Sequence, residues 1–158
     1  MTQSIINKEI GSLYIADDFT INSKTTLDEL KARFGLKRLE MDTIYKTYQN
    51  ATLYDLKILD WYFVMTFYYD GDKLTHISFY PRNEEINNSS WDNFNPEEDR
   101  NYLTTWMAKQ LGDSKKFIWD LNQAGRHYSF SYPWGNVGVY YDFKGGTYSC
   151  IMGFNVQA

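Results

Sequence analysis

The sequence predicts an α+β domain in which two tandem helix-plus-antiparallel-strand repeats pack their helices on one face of an antiparallel sheet. Three observations lead there. Two segments carry helix start and stop signals, each is followed by strand-like runs, and in both halves the penultimate run ends in the same tripeptide before a glycine-containing turn, Tyr68-Tyr69-Asp70 and Tyr140-Tyr141-Asp142. Matched features in one order point to internal duplication. The predicted organisation is a single domain over 1–158, with repeat one at about 20–80, an acidic linker at about 81–95 and repeat two at about 96–156.

The first helix is read over Thr25 to Gly35. Thr26 with Glu29 forms a capping box, Leu27, Leu30 and Phe34 share one face, and Gly35 ends it. The second opens at Asn95-Pro96-Glu97-Glu98, with Asn as N-cap and Pro at the first helical position, and Tyr102, Leu103, Trp106, Met107 and Leu111 recur at helical spacing before Gly112. Strands are expected over Leu39–Tyr48, Leu56–Tyr69 and Thr75–Tyr80 in the first half. In the second half they are expected over Lys116–Leu121, Arg126–Tyr132, Val137–Tyr141 and Tyr148–Val156.

Parity constrains the hairpins, because a buried face must be consistent across paired strands. Phe63, Met65 and Phe67 match Thr75, Ile77 and Phe79 across an odd loop, predicted as three residues ending at Gly71. Val137, Val139 and Tyr141 match Tyr148, Cys150 and Met152 across an even loop around Lys144-Gly145. Tyr69 and Tyr141 then point inward and Tyr68 and Tyr140 outward, so the face opposite the helices carries aromatics and is a candidate binding surface.

A chain of 158 residues has the size of one domain, and such a domain buries roughly 70% of its unfolded surface, so a core is available without staples. The single cysteine, Cys150, excludes an intrachain disulfide and a thiolate-rich metal site, which fits a reducing, cytoplasmic compartment. Met1 to Ala16 lacks the basic start and apolar run of a signal peptide. The longest apolar stretch, Trp61 to Tyr69, falls far below the ~20 residues of a spanning helix.

Aromatics make up 18% of the chain, which suits a β-rich core, a recognition surface, or both. The net charge of −4 is concentrated: Asn83 to Asp99 holds six acids and no base, so that segment carries −6 and the remainder sums to +2. Phosphate neutralisation needs clustered Lys and Arg, so nucleic acid is disfavoured as a partner.

No catalytic constellation emerges. His76 and His127 are the only imidazoles, no HExxH pair, phosphate loop or Gly-x-Ser-x-Gly elbow occurs, and Cys150 sits among apolar neighbours as a small buried hydrophobe. Asp70-Gly71-Asp72 lacks the later ligands of a calcium loop. No cofactor, no metal and no catalytic residue is expected. An enzyme would require His127 or Cys150 to meet a carboxylate in a cleft.

The duplicated helix-plus-sheet layout resembles the tandem-repeat architecture of the β-lactamase inhibitor protein and, per unit, BamE-type modules. The tail from Tyr132-Pro133-Trp134-Gly135 to Phe143-Lys144-Gly145-Gly146 is similar to the C-terminal strands of bacterial toxin-immunity proteins of the contact-dependent inhibition type. That resemblance implies a protein that binds and occludes a cognate toxin domain. Toxin nucleases present basic surfaces, which an acidic segment with neighbouring aromatics complements. The candidate partner-binding residues are Glu84, Glu85, Trp91, Asp92 and Phe94 from the linker, with Tyr68, Tyr140 and Trp134 from the sheet. The alternative is a small-ligand module whose aromatic sheet face holds a sugar or an apolar molecule.

Overall fold

The chain begins with three short strands, β1 (Ile6–Asn7), β2 (Ser12–Ala16) and β3 (Phe19–Ile21), paired in that order as an antiparallel sheet. The computed structural model describes residues 4–45, 47–82, 96–112, 118–120, 127–142 and 146–155. After β3 comes α1 (Leu27–Phe34), closed by the expected capping box: Thr26 Oγ1 accepts from the Glu29 amide at 3.1 Å while Glu29 Oε1 accepts from the Thr26 amide. Gly35, at φ +82°, ends it by donating its N–H to the Lys31 carbonyl.

Four strands follow, β4 (Glu40–Tyr45), β5 (Tyr48–Ile58), β6 (Trp61–Asp70) and β7 (Lys73–Arg82), then α2 (Pro96–Leu111), then β8 (Ile118–Asp120), β9 (His127–Tyr132), β10 (Gly135–Asp142) and β11 (Thr147–Phe154). These eight strands form one antiparallel sheet in the order β4-β5-β6-β7-β11-β10-β9-β8.

The predicted α+β architecture of two tandem repeats is thereby corrected: the described chain is predominantly β. A three-stranded sheet precedes α1, and nothing of that kind precedes α2 among the described residues. The two helices are unequal, eight residues against sixteen. The physical reason is that complete caps identify a helix without measuring its weight in the fold, whereas short strands leave too few residues for a clear alternation. The expected strand boundaries also shift, because Leu59-Asp60 makes a two-residue turn with Leu59 at φ +55° and splits the expected run into β5 and β6.

The register settles the two hairpins differently. Phe67 faces Ile77 and Met65 faces Phe79, as parity demands, but the turn between β6 and β7 is two residues long, Gly71-Asp72, and a bulge between Tyr68 and Tyr69 absorbs the odd residue. Thr75 is that extra residue, and its hydroxyl donates to the Tyr68 carbonyl. In the second hairpin Val137, Val139 and Tyr141 face Met152, Cys150 and Tyr148 across an even, four-residue connection.

The inner face of the large sheet carries Phe63, Met65, Phe67 and Tyr69 with Ile77, Phe79, Val137, Val139, Cys150 and Met152, all buried. Helix α2 lays Leu103, Trp106, Met107 and Leu111 onto it, and the Trp106 ring meets Phe63, Phe79 and Trp61 edge to face at centroid distances near 6 Å. Each such side chain contributes about 1.5–3 kcal/mol by leaving water. Past Phe79, the last β7 residue paired to β11, the two strands separate. The first half of α2 is fastened there: Asp99 accepts from the Tyr80 hydroxyl, and the Tyr102 hydroxyl donates to the Pro81 carbonyl at 2.6 Å.

The N-terminal segment is tied to the far end of α2. The Ile5 amide donates to Gln110 Oε1, the Ser4 hydroxyl to the Gln110 carbonyl and Lys8 Nζ to the Leu111 carbonyl, each at 2.7–2.8 Å. Among the described residues no helix is long and apolar enough to cross a membrane.

Tyr69 also links α1 to the large sheet, since its hydroxyl, on a side chain 1% exposed, donates to the Thr25 carbonyl at 2.7 Å. Tyr69→Phe is expected to lower unfolding stability by about 1–2 kcal/mol, because the Thr25 carbonyl is left without its buried donor. Urea denaturation reads the effect, and an unchanged midpoint would show that this bond contributes nothing.

Candidate functional site

Direct cross-strand partners share a face, so the register identifies the outer surface of the large sheet. One row runs Tyr68, His76, Gly153, Asn136 and Ser131; the next runs Thr52, Thr66, Ser78, Ile151, Gly138 and Ser129. Apart from the buried Gly138, the residues of these two rows retain partial or full exposure, in contrast to the buried inner face.

Two aromatic groups flank this surface. On β6 and β7 the Tyr68 ring stacks on the His76 imidazole, with centroids 4.1 Å apart and planes 10° from parallel. His76 Nδ1 lies 3.0 Å from the Thr75 hydroxyl. Burial pulls the His76 pKa below its usual value, and burial followed by the charge of Asp142 raises that of Tyr68. Both side chains are thus uncharged at neutral pH, suited to a partly desolvated contact.

On β10 the second group lies flat along its own strand. Asn136 Nδ2 donates to the Tyr140 hydroxyl at 3.2 Å, and the glycines of this face make room: a Cβ on Gly138 would come within 2.9 Å of the Tyr140 ring, and one on Gly153 within 2.4 Å of Asn136 Oδ1. The Thr52 and Thr66 hydroxyls, on β5 and β6 beside the first group, meet at 3.0 Å, and between the two groups the Ser78 hydroxyl donates to that of Ser149 at 3.3 Å. The centre is therefore a polar hydroxyl track with Ile151 as its apolar member.

Of the sequence-derived candidates, Tyr68 and Tyr140 come together on this face. Trp134 does not join them. It stacks on Tyr132 at 5.4 Å, donates its indole N–H to the Lys8 carbonyl and lies against Gly11, so it braces the N-terminal segment. Glu84, Glu85, Trp91, Asp92 and Phe94 lie outside the described residues. Sequence reasoning missed His76, Asn136, Ser78 and Ser149. Alternation along each strand was the available signal, but it assembles these residues into one surface only once β7 is known to pair with β11.

Among the described residues, no group of three His, Cys, Asp or Glu side chains is placed to hold a metal ion. Cys150 is fully buried between Val139 and Phe79, and burial raises its thiol pKa well above the usual value, the reverse of an activated nucleophile. Comparison with protein-family models, with curated proteins and with solved structures gives no match for this chain.

Two consequences are measurable. Gly138→Ala places a methyl 2.1 Å from the Tyr128 carbonyl oxygen as well as against Tyr140, whereas Gly153→Ala meets only the movable Asn136 amide. The first is expected to cost about 1–3 kcal/mol by overpacking and the second less than 1 kcal/mol, compared by urea denaturation. Because the folded-state pKa of His76 lies below the unfolded value, its neutral form gives full stability above about pH 6.5, and stability is lost as pH falls from there through the folded pKa. His76→Gln removes that component, so the stability difference between wild type and variant should shift in the variant's favour between pH 7 and pH 5. A difference independent of pH would contradict the assignment.

Proposed function

We propose that this protein is a binding module that engages another protein through the outer face of its eight-stranded sheet, and that its partner is a toxin domain which it occludes as an immunity protein. The observation that carries the binding reading is one partly exposed sheet face with Tyr68 stacked on His76 at one side and Tyr140 held by Asn136 at the other. Aromatic side chains fixed in place before binding supply contact area at little further cost in conformational entropy. The neighbouring hydroxyls of Thr52, Thr66, Ser78 and Ser149 on the same face offer hydrogen bonds of either sense. The toxin as partner is supported by the resemblance of the Tyr132 to Gly146 tail to immunity proteins, and by the run of acids at Glu84, Glu85 and Asp92, which suits a basic partner surface.

If a toxin domain is encoded beside its gene, co-expression with that domain tests both parts. A stoichiometric complex and restored growth are expected. Replacing Tyr68 and Tyr140 together by Ala is expected to raise Kd more than tenfold, as for interface anchors, with only a small change in thermal unfolding. Unchanged affinity would remove the sheet face from the interface, and absence of any complex would remove the toxin as partner.

A further inference from the structure

On the side of the sheet opposite Tyr68 and Tyr140, a cleft of about 390 Å³ opens between α2 and Trp61, the first residue of β6. This size is within the range of small-molecule sites. Asn101, Thr105 and Lys109 line it from one row of α2 at four-residue spacing, and the rings of Trp61, Tyr102 and Trp106 supply its apolar surface. The aromatic wall is fixed: Trp106 is 4% exposed and meets Trp61 edge to face at 6.1 Å, and Tyr102 is anchored through its hydroxyl to the Pro81 carbonyl.

Two groups here lack counterparts among the described residues. The Trp106 indole N–H is buried with no acceptor, and Lys109, the one cation of the lining, forms no ion pair. That N–H is closed off from solvent, which leaves the exposed Lys109 as the charged group of the wall open to an occupant. A planar apolar group matches the Trp61 and Tyr102 rings, and a negative charge matches Lys109.

We propose that this cleft is a second binding site, independent of the outer sheet face, for a small planar aromatic anion of the aryl carboxylate class. The ring packs beside Trp61 and Tyr102, and the carboxylate is directed to Lys109.

Titration with naphthoate, and with neutral naphthamide as its control, tests this by following the indole N–H resonances of Trp61 and Trp106, assigned from single Trp→Phe variants. Naphthoate is expected to shift both resonances saturably and to bind about threefold to fivefold more tightly than naphthamide, the size of one solvent-facing charge contact. Lys109→Gln should remove that advantage while leaving naphthamide unchanged. Thr105→Trp, at an exposed helix position, fills the cleft and should abolish binding of both compounds with the circular dichroism spectrum retained. No saturable shift, or binding that survives Thr105→Trp, would overturn the site. Equal affinity for the two compounds would overturn the anion.

Discussion

Four cross-strand pairs, Phe79 with Cys150, Ser78 with Ile151, Ile77 with Met152 and His76 with Gly153, join the two halves of the large sheet. Everything else in the arrangement depends on this junction. It fixes, in one step, which residues of β6, β7, β10 and β11 are buried, because a one-residue slip would send Ile77 and Phe79 to the solvent side. It also creates the outer face, by aligning Tyr68 and His76 with Gly153 and Asn136. Where the pairing to β11 stops after Phe79, β7 continues beside β6 to Arg82, and Asp99 and Tyr102 attach α2 to it through Tyr80 and Pro81.

The two sides of the sheet have different chemistry for that reason. The inner side is filled by aromatic and aliphatic residues under α2, with Trp106 at the meeting point of Phe63, Phe79 and Trp61. The outer side is made of hydroxyls, an imidazole and tyrosines held in place by stacking and hydrogen bonds. Asp99 shows the cost of joining α2 to the sheet: burial raises its carboxyl pKa, opposed by the Tyr80 hydroxyl, the Tyr148 backbone and Arg82, and its second oxygen has no partner among the described residues. The Tyr80 bond anchors the helix, but the carboxylate is not fully compensated.

A good part of this was legible in the residues. The Thr26–Glu29 capping box and the glycines at 35 and 112 mark helix ends because caps act locally, within one turn. The inward Tyr69 and outward Tyr68 follow from alternation alone. The turn at Leu59-Asp60 was illegible, since neither residue is a usual carrier of positive φ, and surrounding pairing imposes the conformation on Leu59. The three N-terminal strands were missed because they are two, five and three residues long. Trp134 reads from the sequence as a sheet-surface residue, whereas its contact with Lys8 spans more than a hundred residues of chain, beyond any local pattern.

Residues read in order along the chain were enough to place the capping box of α1, the glycine ends of both helices, the inward positions of Met65, Phe67, Ile77 and Phe79 and the exclusion of an intrachain disulfide, all consequences of near neighbours or of composition. The dominance of β structure among the described residues, the placement of β7 beside β11 and the surface that His76 and Asn136 share with Tyr68 and Tyr140 emerge from the folded arrangement alone. Local rules act through a few bonds of backbone geometry, whereas strand order is set by the burial of whole faces against one another, a property of no single segment.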